Sequence, residues 1–169
     1  MVEFLLSISI ALKYFLIITF ILALIGFAIL FYDKWKDEVP LKLKIMAYIF
    51  FFSVFLNGFL LLIISASIEK SLRGKLTSFI NKNYNDIIVL VNNKQIDDKS
   101  RYLNILSKIH TVPAHHSSTS DTIKIDLNTK SDTIKLLLLR DTEYKDDFWV
   151  YDLKYQNLNE IGHVNIDVK

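Results

Sequence analysis

Ile45–Ile68 reads IMAYIFFFSVFLNGFLLLIISASI, twenty-four residues without a charge. A helix needs about 20 apolar residues to cross a hydrocarbon core of about 30 Å. A helix merely buried in a soluble core rarely stays uncharged for so long. Upstream, Tyr14–Tyr32 (YFLIITFILALIGFAILFY) repeats the pattern over nineteen residues. Two transmembrane helices follow, spanning about residues 14–32 and 45–68. The first run is longer than the apolar core of a signal peptide, about 7–15 residues, and Glu3 stands where such a peptide is basic. It reads as a retained anchor.

The segment between the runs, DKWKDEVPLKLK, is too short for a domain. Tyr32 and Trp35 suit a headgroup interface, and Lys34, Lys36, Lys42 and Lys44 can reach it with long side chains. The spans therefore form a hairpin with both chain ends on one side. Lysines and arginines are nearly balanced between the two flanks, with a modest lean towards a cytoplasmic C-terminal part. The lack of cysteine fits either compartment.

Inside the second span stands one strongly polar residue, Asn57, beside Gly58 and one turn after Ser53. Asparagine at that depth bonds across to another helix, and small neighbours let backbones approach. Ser53, Asn57 and Gly58 are thus the expected transmembrane contact. Two partners remain open: the first helix of the same hairpin, or another protomer. The spans carry no acid or base, which argues against a proton relay, voltage sensor or ion-coupled transporter.

Beyond Ile68 the helix is expected to continue to about residue 85, with Leu72, Leu76, Phe79 and Ile80 at helical spacing. Residues 86–169 read as a small α+β domain. IIVLV (Ile87–Val91) is a short strand, followed by an Asn92-Asn93 turn and a brief KQI. Asp98 caps a helix carrying Tyr102, Ile105, Leu106 and Ile109. DTIKIDL, DTIKLLLLR, DDFWVYDLK and GHVNIDV complete a mainly antiparallel sheet of four to five strands.

Two of these strands have no polar face. Leu136–Leu139 are four consecutive leucines. In the next strand Phe148 and Val150 point one way, Trp149 and Tyr151 the other. One helix covers one side of a sheet. The second side needs the juxtamembrane helix, another copy of the chain or a different partner, unless the strand is central and covered within the monomer. Leu137, Leu139, Trp149 and Tyr151 are the residues such a partner would touch.

Between helix and sheet lies HTVPAHHSSTSD (His110–Asp121). Its histidines suggest a metal or a general base, but adjacent His115 and His116 point apart in extended chain, and no recognised ligand spacing is present. His116-Ser117 adjacency makes no nucleophile–base pair, which is a spatial arrangement. Asp141, Glu143, Asp146 and Asp147 lack the glycine and distal glutamate of a calcium loop and read as a solvated hairpin. Arg140-Asp141 reads as a local ion pair. No phosphate-binding glycine motif occurs among four glycines. From Glu69 onward fifteen Lys and Arg face fourteen Asp and Glu, interleaved, so direct nucleic-acid binding is not expected. The expectation is a protein without enzymatic activity, metal or cofactor, with His115 and His116 in a polar loop at a partner interface.

The layout, with HHS (His115–Ser117), Arg140-Asp141, Trp149-Val150 and NEIG (Asn159–Gly162) in that order, resembles the two-transmembrane effector proteins of retron anti-phage defence systems. The resemblance covers the whole chain in layout through short motifs. It implies a toxin-like effector at the bacterial inner membrane, restrained by a reverse transcriptase with its RNA–DNA product and released by infection to compromise the bilayer; a homo-oligomer follows if Asn57 bonds to another protomer. Two other classes fit the residues: a passive anchor or assembly factor, and an enzyme using the His-rich loop on a membrane substrate.

Overall fold

A computed structural model describes residues 1–36, 39–111, 118–155 and 160–166. The chain divides into two compact units, Met1–Ile68 and Glu69–Lys169.

The first unit holds helix α1 (Val2–Lys36) and the start of helix α2 (Leu41–Asn83). Pro40 opens α2: it needs no amide hydrogen there, and its carbonyl accepts from Leu43 and Lys44. Both helices are long and apolar enough to cross a membrane. Only 17% and 6% of their most apolar windows are buried, whereas the core helix of a soluble protein would be mostly covered. Phe15, Ile18, Phe55 and Leu62 are among the many large apolar side chains that face outward. The helices meet along small residues. Ser9, Thr19, Ala23 and Gly26 are the buried positions of α1, and a Cβ at Gly26 would stand 2.4 Å from the Ala47 carbonyl oxygen. Lys44 and Asp33 pair at 2.8 Å near the connection.

In the second unit, α2 continues as expected. Leu72, Leu76, Phe79 and Ile80 are all buried. The remaining elements are β1 (Ile88–Val91), β2 (Lys94–Gln95), α3 (Lys99–Ser107), β3 (Thr119–Asn128), β4 (Thr133–Asp141), β5 (Asp147–Asp152), a short 3-10 turn (Leu153–Tyr155) and β6 (Gly162–Asn165). The fold is α+β, with a six-stranded antiparallel sheet in the order β2-β1-β3-β4-β5-β6. The strand beyond the expected four or five is β2, too short to show a period. It closes a hairpin through Asn92 and Asn93, both at positive φ, where asparagine is tolerated best after glycine. Asp98 caps α3, its carboxylate accepting from the Arg101 amide. The face that α3 buries is centred on Leu103 and Leu106; Tyr102, Ile105 and Ile109 flank it half-buried.

The register assigns every strand residue to a face. One face carries Val89, Ile125, Leu127, Ile134, Leu136, Leu138, Phe148, Val150 and Val164, all buried. Both helices of this unit lie on it. A Cβ at Gly162, which sits opposite Val150 on that face, would meet Ile109 of the segment after α3 at 2.8 Å and Arg73 of α2 at 3.2 Å. The Arg73 guanidinium donates to the Ile161 carbonyl at 2.7 Å. The juxtamembrane helix therefore covers the same side as α3, and among the described residues no helix of this unit is left for the opposite side.

Candidate functional site

The side of the sheet turned away from the helices gathers four residues that the alternation singled out. Leu137 is paired across the strands with Tyr151, and Leu139 with Trp149. All four are half-buried. Directly opposed side chains in an antiparallel pair stand about 5 Å apart and interact, so they form one apolar patch at the centre of the sheet. Across β3, Leu90 and Ile88 extend it, Ile88 being 49% exposed. Between these two apolar areas runs β3 with Asp126, Lys124 and Thr122. Lys135 borders Leu137 along β4.

Trp149 is fixed from two sides. Its indole Nε1 donates to Asp141 Oδ2 at 2.8 Å, and its ring lies 5.5 Å from that of His163, tilted by 42°. Asp141 is itself held by the amides of Glu143 (2.8 Å) and Tyr144 (3.0 Å). His163 Nδ1 and Asp147 Oδ2 share a hydrogen bond of 2.8 Å. Asp141, Asp147 and His163 are all buried. Buried charge is costly unless hydrogen-bonded, and here the bonds converge on the indole. The second oxygen of Asp147, Oδ1, is buried and finds no partner among the described residues.

This network corrects two sequence expectations. The acidic run is not uniformly a solvated loop: Glu143 and Asp146 are exposed, but Asp141 and Asp147 are interior. Arg140 and Asp141 diverge to opposite faces. Arg140 donates through Nε to the Lys145 carbonyl at 2.7 Å and lies 3.5 Å from Asp121, while Asp141 accepts from Trp149. The signal for the network was present in the parity of β5, since Asp147, Trp149 and Tyr151 alternate onto one face. The partner His163 lies sixteen residues further on and becomes visible only once β5 and β6 are in register.

His115 and His116 lie outside the described residues. The flanks of their loop are placed: His110 exchanges backbone hydrogen bonds with His163, while the Thr142 amide donates to the Ser118 carbonyl and the Ser118 amide to the Thr142 hydroxyl. Among the described residues, no three His, Asp or Glu side chains are grouped as metal ligands.

At the other end of the sheet, Asp152 lines a surface depression of about 280 Å³ with Lys75, Lys135 and Lys154. Burial pushes its carboxyl above the ordinary range, partly opposed by the Lys154 amide and by the charges of Lys75 and Lys154. A raised carboxyl binds its proton more tightly folded than unfolded. Its contribution is greatest below the unfolded value and is lost as pH rises through the folded one. Asp152→Asn, which keeps the acceptor for the Lys154 amide, is expected to maintain or raise the melting temperature at neutral pH. It should also flatten the change in stability between the ordinary carboxylate range and neutrality. Thermal melts across that range check this. Burial, then the charge of Glu160, raises the Tyr151 phenol, which therefore stays a donor.

In the first unit, Asn57 is 4% exposed. Its amide donates to the Leu12 carbonyl at 3.3 Å and reaches the Thr19 hydroxyl at 3.5 Å. Of the two partners open to it, the structure places Asn57 on the first helix of the same hairpin. Ser53 donates to Phe50 of its own helix. A Cβ at Gly58 would meet nothing within 4 Å, leaving that position open on the hairpin surface. Family models, curated proteins and solved structures give no match to this chain, so the functional reading rests on these two units alone.

Proposed function

We propose that the protein is a membrane-disrupting effector of a bacterial anti-phage, abortive-infection system. Its hairpin lies in the inner membrane with the second unit in the cytoplasm, and partner components restrain it through the open sheet face. The observation that carries the reading is the division of labour between the units. One is a pair of helices whose apolar side chains face outward, suited to lipid. The other buries one face of its sheet under helices and leaves a Leu-Trp-Tyr patch on the other. A patch of that make-up, with a rigid aromatic at its centre, has the features of an interaction hot spot. The resemblance to retron effectors supplies the expected partner, a reverse transcriptase with its RNA–DNA product. The scheme requires no enzymatic step and no cofactor.

Brief induction of the full-length protein in bacteria lacking any restraining partner, followed with a voltage-sensitive dye, tests the proposal. Rapid loss of membrane potential is expected. Unchanged potential, with the protein confirmed in the membrane, would refute it.

A second reading, a passive anchor for a larger complex, is favoured by Asn57, whose amide nitrogen donates to the Leu12 carbonyl inside the hairpin, although its amide oxygen is buried without a partner among the described residues. An anchor predicts that an unrelated two-helix hairpin can replace residues 1–68 without loss of function. The effector reading predicts that this exchange abolishes activity.

A further inference from the structure

The charges around the open sheet face say what kind of partner it takes. We infer that the face binds a protein segment that presents large apolar side chains flanked by carboxylates. The inference rests on the proposed docking role of this face and specifies its ligand.

Three observations carry it. First, the centre of the face offers apolar contact without spare hydrogen bonding at Trp149. Its indole N–H is committed to Asp141 at 2.8 Å, and its ring is backed by His163. A partner meets an indole held in place, which lowers the entropy lost on binding. Aliphatic or aromatic side chains complement Leu137, Leu139 and the Trp149 ring better than polar ones, because a buried polar group without a partner is costly.

Second, the exposed charges beside Leu137 are basic and unspent, while half-buried Glu160 lies within electrostatic reach of Tyr151. Lys124 stands directly opposite Leu137 and Lys135 lies two residues before it, both exposed. Neither is ion-paired among the described residues, although Asp126, half-buried, sits opposite Lys135. The acids at the far end of the patch, Asp141 and Asp147, are buried and bonded to Trp149 and His163. They offer no exposed negative charge to a visitor. A carboxylate docking beside Leu137 would gain both lysines, and such complementarity raises the on-rate and rejects basic partners.

Third, the same charges disfavour the competing occupants. Two copies of this face brought together would place four lysines in one interface against two Asp126. A nucleic-acid strand needs a run of cations along its backbone, but here two lysines share the face with Asp126, and Glu160 is close enough to raise the Tyr151 phenol.

The test is selection of a random peptide library, displayed on yeast, against the purified full chain in lipid nanodiscs. Enriched peptides are expected to combine Leu, Phe or Trp with Asp or Glu. Their binding should fall by about tenfold or more with Leu137→Asp, the loss typical of a hot-spot residue. The double variant Lys124→Glu/Lys135→Glu, which alters only exposed side chains, should shift the enriched pool from acidic to basic. Four results would overturn the inference: a basic or charge-neutral pool on the unmodified chain, a pool indifferent to the charge reversal, displacement of the peptides by a mixed-sequence single-stranded oligonucleotide, or face-to-face crosslinking of two chains through Leu137→Cys. The selection does not read membrane potential, so failure of this inference and failure of the effector proposal are distinguishable.

Discussion

Leu136→Ala is expected to destabilise the second unit by about 2–5 kcal/mol, whereas Leu137→Ala beside it should cost less than about 1 kcal/mol. The two residues are chemically identical and adjacent, so local propensity cannot separate them. The register does. Leu136 is fully buried, opposite Ile125 on one strand and Asp152 on the other. It lies on the face that carries α3 and the end of α2, and truncation there leaves a cavity that surrounding elements cannot fill. Leu137 is half-buried on the open face, and solvent or Tyr151 can move into the space it leaves. Urea unfolding of the detergent-solubilised full chain, followed by circular dichroism, measures both. Similar losses from the two variants would mean that the second face is also covered within the monomer. In the peptide selection the order should reverse, with Leu137→Ala losing binding that Leu136→Val keeps.

Gly162→Ala should produce a comparable loss, about 3 kcal/mol, by overpacking and strain rather than by a cavity. Gly162 has φ of +156°. An added methyl would stand 2.7 Å from the His110 carbonyl oxygen and 2.8 Å from an Ile109 carbon. The first contact is with backbone that is itself hydrogen-bonded to His163, so it cannot yield without breaking the join between the α3 segment and β6. Because His163 backs Trp149, the open face should suffer too: the emission of Trp149 in a Trp35→Phe background is expected to shift. The internal control is Gly74→Ala. That position is exposed, and a methyl there meets nothing within 4 Å. In a helix interior, alanine is favoured over glycine by about 1 kcal/mol. The same substitution should therefore stabilise at Gly74 and destabilise strongly at Gly162.

The two long helices were legible because membrane-scale apolar runs need no tertiary context. The structure lengthens α1 beyond its run, since a helix can continue past the apolar stretch through Lys13 and Glu3 without requiring lipid there. The α3 cap at Asp98 and the strand alternation were legible for the same reason, being local. What escaped the sequence depends on packing. The direction in which α2 lays its Leu72-Leu76-Phe79-Ile80 stripe cannot be read from the stripe itself, so the sequence left open whether it covered the second face; it shares the first with α3. Asn57 was recognisable as a buried polar group, but its choice of helix required the geometry of the pair. The Asp147–His163 bond joins residues on neighbouring strands, and the acidic run around Asp147 looked solvated because exposed Glu143 and Asp146 sit among the buried members.

The most direct measurement of the central proposal uses purified full-length protein and no other macromolecule. The chain is reconstituted into liposomes holding a potassium diffusion potential set by valinomycin, with insertion confirmed by flotation and protease protection. The account predicts that the potential collapses as protein is added, without substrate, nucleotide or metal. Liposomes that hold their potential with the protein inserted would contradict it and would leave the hairpin as an anchor.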